Sequence, residues 1–487
     1  MGTYIKAGYL YVDGPNNTPQ TMINNLNASG TAAKVFTQRT ESGVPTYYFM
    51  DSGNASYYLT IKSGATLTLG SSNSVGLNFR FSSLANDRLR LTISDGGTLN
   101  IYSPTFIDVS YGHTNSYRGY FFIYGNINIS GTIAPSTSRY PQITHAYSLY
   151  LIEDLSNNIY NNITWKFTNC VFSNMIGNGI YINHMFKYRG NLFLTNVLFS
   201  GASSTSFVGQ TFYLMYSDYT NFENFKINNC RFYNIRTNCI QTISFGEIYN
   251  CTFDTRLSDN YGIWSQYGRA PINYSPYNYT YINDKLLKGT QNLGIYIHDN
   301  IFCNSGTNQS CVASVHGSVC LLAKNQFNNT TDYTSYSQYK SEVRYWSGNT
   351  FPNSYWYINN EGAITKYVNR LKLRIVDQSN NPISGAKVCA YEKNNKECYN
   401  LYTNGNGYLI AEYGLSGVFL TWRMFYGNTT SASYGTSYET WSSGSTGGHY
   451  IEVFKEGYRP FKQTYIMGRE RDETIVLQKL DSYSYAF

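Results

Sequence analysis

The chain carries little charge. Only 13% of its 487 residues are Asp, Glu, Lys or Arg, and Asp and Glu together number 29. So few carboxylates leave few groups whose protonation could unfold the chain in acid. No apolar run reaches the 18 or more residues of a membrane helix, so no membrane span is expected. The opening Met1-Gly2-Thr3-Tyr4-Ile5-Lys6 runs into only a short apolar stretch before Asp13, which is not a secretory leader. That leaves two expectations open: assembly in the cytoplasm followed by release, or a leader trimmed away so that Met1 is not the native start. No Cys-x-x-Cys with a matching His, no Gly-rich phosphate loop and no Ser/His/Asp set occurs, so no metal or cofactor is expected. No stretch of helical periodicity is long enough for a crossover helix. Lys and Arg exceed Asp and Glu by 36 − 29 = 7, but they are scattered. The densest basic stretch, Lys366 to Arg374, alternates with apolar residues like the solvent face of a strand, so nucleic acid is not expected as a partner.

What the chain has is Tyr, at 50 residues, with abundant Asn, Ser, Thr and Gly, and a motif that recurs along its middle. A turn Asn is followed by Phe at Asn169–Phe172, Asn196–Phe199, Asn229–Phe232 and Asn250–Phe253. The motif then tightens to Asn300–Phe302, Asn325–Phe327 and Asn349–Phe351. The Phe residues are 27, 33, 21, 49, 25 and 24 apart by subtraction, with 49 close to two periods. A second strand-like element follows each Phe, as in Gly179-Ile180-Tyr181-Ile182 and Cys239-Ile240-Gln241-Thr242-Ile243. Earlier segments share a Gly turn followed by alternation: Ser63 to Leu69, Asp95 to Ile101 and Tyr124 to Ile129. Repeats of this length with several short strands and no helix stack by parallel ladders about 4.8 Å apart. About a dozen units would make a rod of roughly 55 Å, with Phe filling its inside and Asn bonding along a turn.

These residues resemble the right-handed parallel β-helix of pectate-lyase-like enzymes and phage tailspikes. The resemblance implies an all-β fold over 51–364, with residues 1–50 as a cap or attachment segment. It also implies a homo-oligomer, a trimer by analogy with tailspikes. High Tyr and Ile with little Gln further resembles the proteins of hot, acidic archaeal habitats and their viruses.

A different grammar begins near residue 368. Leu371 to Asp377 alternates, Ser379 to Ala386 turns, the strand Lys387–Tyr391 follows, then the segment Tyr450–Tyr458, and a last strand at Glu473–Leu477. With Pro382, Gly385, Ala386, Val388, Thr403, Gly407, Lys455, Gly457 and Tyr458, residues 365–487 resemble the carboxypeptidase regulatory-like domain, a transthyretin-like β-sandwich that serves stability or interaction. One departure is large: the link from Tyr408 to Tyr450 is long and rich in Gly, Ser and Tyr. It reads as decoration, a binding loop or a contact with a neighbouring subunit.

Cys170, Cys230 and Cys251 each stand two before a repeat Phe and read as small stacked core residues. Cys389 and Cys398 flank a turn symmetrically, so a cross-strand disulfide is expected. Asn-x-Ser/Thr sequons at Asn16, Asn27, Asn54, Asn128, Asn162, Asn250, Asn273, Asn278, Asn308, Asn328, Asn329 and Asn428 permit N-glycosylation without requiring it.

Parallel β-helices often cleave acidic polysaccharides, and hydrolysis needs two carboxylates at close, defined separation. The short motifs of polygalacturonase-like enzymes, Asn-Thr-Asp, Asp-Asp and Gly-His-Gly, do not occur, nor does the Asp cluster of pectate lyases. Glu153-Asp154, Asp218 with Glu223, and Asp254 with Asp259 are the carboxylate pairs that could flank a groove, and all read better as turn residues; His298-Asp299 likewise. No catalytic residues are assigned. Aromatic rings can stack on sugar faces, and Tyr216, Tyr219, Tyr261, Trp264, Tyr438 and Trp441 are the binding candidates. Together these expectations describe a virion or surface fibre that attaches to host glycans, exposed on a virion or outside the cell, with other virion or filament proteins as neighbours. A polysaccharide lyase or hydrolase and a subunit of an extracellular filament are the alternatives.

Overall fold

The computed structural model describes residues 2–6, 9–29, 36–41, 43–50, 58–70, 77–82, 90–102, 105–108, 119–131, 142–144, 146–152, 163–173, 180–183, 190–200, 212–214, 224–233, 239–242, 246–254, 263–266, 295–303, 310–315, 319–328, 333–337, 341–351, 356–358, 363–391, 397–410, 415–426, 433–434, 437–440 and 448–480. Apart from one helix these residues are strands and turns, with long parallel sheets. The chain divides into two compact units. The first comprises Met1–Trp264, Asp299–Val312 and Phe327–Asp332; the second comprises Ser265–His298, Ala313–Gln326 and Tyr333–Phe487.

In the first unit the chain returns repeatedly to three parallel ladders. One joins Tyr9–Val12, Tyr58–Ile61, Arg90–Ile93, Gly119–Ile123, Ala146–Ile152, Ile180–Asn183, Phe212–Leu214 and Ile240–Thr242. The second joins Thr66–Leu69, Thr98–Tyr102, Asn126–Ser130, the first halves of Ile163–Ser173 and Gly190–Ser200, then Asn224–Asn228 and Gly246–Tyr249. The third runs from Val44–Met50 through Leu77–Ser82, Thr105–Asp108 and Gln142–Thr144 to the second halves of the same long strands. It continues through Arg231–Tyr233, Thr252–Asp254 and Ile301–Phe302.

Strand alternation puts every second residue inside. Parallel register then stacks like on like: Leu69, Ile101, Ile129, Phe167, Leu194, Ile227 and Ile248 form one buried column. The repeat Phe residues form another. Phe172, Phe199, Phe232, Phe253, Phe302 and Phe327 stack face to face with centroids 4.8–5.1 Å apart and planes within 9°. Each such ring contributes about 1.5–3 kcal/mol by burial and about 0.5–1.5 kcal/mol more through its ring contacts.

Each ladder gains a partner at its N-terminal start. Tyr4–Lys6 pairs antiparallel with Tyr9–Val12, and Phe36–Glu41 pairs antiparallel with Val44–Met50. Asn17 bridges Leu67, and its side-chain amide bonds the Gly14 and Thr66 carbonyls. The helix Pro19–Ala28 follows immediately, because Thr18 closes a capping box with Thr21 and Pro19 sits where its missing N–H costs nothing. Its Met22 and Leu26, four apart, are fully buried.

The second unit holds parallel strands Ile295–His298, Val319–Ala323, Glu342–Tyr345 and the start of Ile364–Val376, and the parallel pair Tyr333–Ser337 and Trp356–Ile358. Ile364–Val376 is one 13-residue strand with two roles. Its first half ends the parallel stack. Its second half, Leu371 to Val376, pairs with Arg471–Val476. That half lines a buried cluster with a four-stranded sheet of Glu397–Tyr402, Lys387–Tyr391, His449–Phe454 and Phe461–Tyr465. Leu373, Ile375, Val388, Leu401, Ile451 and Val453 meet there, and the Tyr399 hydroxyl donates to the Phe419 carbonyl at 3.2 Å. Parallel stack and C-terminal cluster thus share one continuous strand.

The long link between Tyr408 and Tyr450 carries strands of its own among the described residues. Its strand Val418–Tyr426 pairs antiparallel with Ile364 to Leu371, Ser437–Thr440 pairs onto that, and Ser433–Tyr434 closes on Trp356–Ile358. The insertion covers the edges on which the parallel strands of the second unit end.

The expected Cys389–Cys398 bridge is not formed, and both thiols are free. Register sets Cys389 opposite Asn400 and Ala390 opposite Tyr399, and a bulge then pairs Tyr391 with Glu397. Cys398 is the extra residue of that bulge, and its thiol donates to the Ala390 carbonyl at 3.2 Å.

Candidate functional site

The corner between the second and third ladders is a left-handed turn. Asn169, Asn196, Asn229, Asn250 and Asp299 hold φ of 50–54° there, and Lys324 and Gly348 hold 51° and 83° at the same place in the second unit. Each stands three before a repeat Phe. Asn tolerates this conformation best after Gly. The next position, two before Phe, points inward and holds Cys170, Val197, Cys230 and Cys251, then Asn300, Asn325 and Asn349. The Asn of the tightened motif is therefore a different residue in a different place.

The inward side chain serves the repeat before its own. Asn300 Oδ1 accepts the Cys251 N–H at 2.8 Å, while its Nδ2 donates to the Ile248 carbonyl at 2.9 Å. Asn349 does the same for the Asn325 N–H at 3.1 Å and the Leu322 carbonyl at 2.9 Å. Cys251 imitates them: its sulfur accepts the Cys230 N–H at 3.3 Å and its thiol donates toward Ile227 and Tyr249 carbonyls. Burial pushes the Cys170, Cys239 and Cys251 thiols well up, so they remain protonated hydrogen-bonding groups and not nucleophiles.

On the first ladder, register aligns Tyr11, Thr60, Thr92, Phe122, Tyr150, Tyr181, Tyr213 and Gln241, and the first four each stand between two buried residues. The row is uncharged and made of hydroxyl, aromatic and amide groups. At its start Tyr4 stacks on Tyr11 at 5.3 Å, and Tyr9 lies 5.1 Å from Tyr58. Lys62 bonds the Tyr4 hydroxyl and Asp13, which hold its ammonium above the usual range. These rings pack on one another, and the Tyr4 hydroxyl is held by Lys62.

Charges on the second unit are largely matched. Lys372 meets Asp472 at 2.8 Å, Arg370 approaches Glu470 at 3.8 Å, and Lys372 and Arg374 lie over the Tyr408 ring. Arg370, Lys372 and Arg374 do lie along one face of their strand. Lys366 departs from that pattern: it is buried, with Arg344, on the carboxylate of buried Glu342.

Of the binding candidates, Tyr216, Tyr219, Tyr261 and Trp441 lie outside the described residues. Trp264 and Tyr438 are placed by backbone alone, Trp264 in Ile263–Gln266 and Tyr438 opposite Phe425 in the covering strand. Glu153, Asp154, Asp218, Glu223 and Asp259 also lie outside, and Asp254 is buried. His298 stacks on Tyr296 at 4.1 Å, with Asp299 forming the left-handed turn expected of it. Among the sequons, Asn54, Asn162, Asn273, Asn278, Asn308, Asn329 and Asn428 are outside the described residues. Asn16, Asn27, Asn250 and Asn328 are exposed, and Asn128 sits in a ladder with its amide oxygen buried. Among the described residues there is no group of three His, Cys, Asp or Glu able to hold a metal, and no helix long and apolar enough to cross a membrane.

No family model matches the chain, and no curated protein matches it. A search of solved structures finds ORF18 of Geobacillus virus E2, at 10% identity over 87% of this chain and 75% of that one. Its TM-score is 0.22, too low to carry an argument about fold or function.

Proposed function

We propose that this chain is a structural attachment protein of a virion or cell surface, a fibre or spike that binds host glycans. In this reading residues 51–364 are a right-handed parallel β-helix, residues 1–50 its cap, and residues 365–487 a transthyretin-like sandwich. The observation that carries it is the first-ladder row from Tyr11 to Gln241. Aromatic, hydroxyl and amide residues share one register position there, and Tyr11, Thr60, Thr92 and Phe122 each stand between two buried Leu, Phe, Ile or Val residues. Such a row offers rings for sugar faces and hydroxyls for sugar hydroxyls, and no charge to titrate. Tailspike-like homotrimers and a virus of a hot, acidic archaeal habitat belong to the same proposal, supported by composition and resemblance.

The test is native mass measurement of the purified chain combined with a glycan array. A defined oligomer that retains glycans without shortening them is the expected result. A monomer that retains none and depolymerises a polysaccharide would sink the reading in favour of an enzyme.

A further inference from the structure

The outer face of the C-terminal four-stranded sheet carries three rows, and they differ in how much of each is already used. In one, Tyr391 and Tyr450 stack at 4.5 Å and 13°, with the Lys462 ammonium 4.2 Å above the Tyr450 ring. In the next, Lys462 is bound to Glu452 at 2.8 Å. The third row is Tyr402, Lys387 and Phe454, direct cross-strand neighbours on three adjacent strands. Their inward neighbours Val388, Leu401 and Val453 are core, so these three face out. Tyr402 is 63% and Phe454 40% exposed. Lys387 has no ion pair or hydrogen bond to its ammonium among the described residues, unlike Lys62, Lys366, Lys372 and Lys462. A second ammonium lies at the same end of the sheet. Lys455, next to Phe454, donates to the Ser384 carbonyl at 2.8 Å and so is held against the turn that leads into Lys387.

We infer that this row is a binding site for an acidic polysaccharide, one whose sugar rings carry carboxylates. The two exposed rings lie two strands apart, about 9.6 Å, and lie across the strands. A chain of sugars spanning them would rest C–H faces on Tyr402 and Phe454 and bring a carboxylate to Lys387. Positive charge without an ion-pair partner among the described residues, set between two exposed rings, fits an anion on a partly apolar body. The rings of the neighbouring row, facing each other and capped by Lys462, are occupied. The inference rests on the glycan-attachment reading but concerns a site separate from the first-ladder row.

The experiment measures retention of the full chain on polygalacturonate and on its methyl-esterified form, at low and high salt. Retention on the acid form, weakened by salt and absent on the ester, is expected. Lys387→Gln should lose about tenfold in affinity, the scale of one charge-assisted hydrogen bond, and Tyr402→Ala with Phe454→Ala a similar factor. All three are surface changes, and an unchanged melting temperature confirms folding. Equal retention of wild type and Lys387→Gln overturns the site while leaving glycan attachment standing. Loss of retention on every glycan overturns both. A change in sedimentation on Lys387→Gln without change in retention makes the row a protein contact and also overturns the proposal.

Discussion

Asn300 and Cys251 stand at the same inward corner of consecutive repeats, and the Asn300 amide accepts the Cys251 backbone N–H at 2.8 Å. The left-handed turn at each corner breaks the regular ladder, leaving an N–H that an amide side chain of the next repeat accepts. Asn300→Ala leaves the Cys251 N–H buried without this partner. The expected loss is about 1–3 kcal/mol, the cost of one orphaned buried group. Asn300→Cys should recover part of it, because Cys251 fills the same role with a thiol. Urea denaturation of both variants tests this; equal stability of Asn300→Ala and wild type would remove the corner bond as a stabilising device.

The Phe column was legible because its chemistry is the same in every repeat: one ring, one inward position, one stacking distance. The Asn motif was legible only in half. Asn-x-x-Phe and Asn-x-Phe look like one motif with a deletion. Instead, Asn leaves the exposed left-handed corner, where Asp299, Lys324 and Gly348 replace it, and takes the buried place of Cys. The covering role of Val418–Tyr426 was hidden because its partner, Ile364 to Leu371, is some fifty residues away and alternation does not name partners. The Cys389–Cys398 expectation failed for a local reason, since a bulge moves Cys398 out of register. The Tyr402–Lys387–Phe454 row was within reach of alternation alone, but nothing in the sequence marks which outward cation lacks a carboxylate.

Lys324 is the weak member of the corner series. It holds φ of 51°, where Asn, Asp or Gly stand in the other repeats. A left-handed conformation costs a residue with an ordinary side chain about 1–2 kcal/mol. Its side chain is exposed, and Gly348 lies against it without a Cβ. Lys324→Asn is expected to stabilise the chain by about 0.5–1 kcal/mol. A lower denaturation midpoint for the variant would show that the lysine side chain contributes more than its backbone strain costs.

Glu342 accepts from Lys366 at 3.2 Å and from Arg344, and all three side chains are buried. Glu342→Gln removes the negative charge and leaves two cations in a low-dielectric site. Breaking a buried pair in this way typically costs about 3–5 kcal/mol. Replacing Glu342, Arg344 and Lys366 together by Leu, Met and Met should cost far less, because no charge is then stranded. Thermal denaturation of the single and triple variants separates the two cases; a triple variant no more stable than Glu342→Gln would show that the trio contributes more than mutual neutralisation.

Tyr367 and Tyr465 set an alkaline limit. Burial pushes both phenols up to about 12, against about 10 in an unfolded chain. Both must stay protonated in the fold. Their contribution is full below about pH 10, where folded and unfolded states bind the same protons. Between about 10 and 12 the unfolded state ionises first and binds fewer protons, so stability falls as pH rises. The separation is worth on the order of 2–3 kcal/mol per tyrosine. Denaturation midpoints measured from pH 9 to 12 should fall steeply for the wild type and less steeply for Tyr367→Phe with Tyr465→Phe. Identical slopes would place the alkaline transition on other groups of this tyrosine-rich chain.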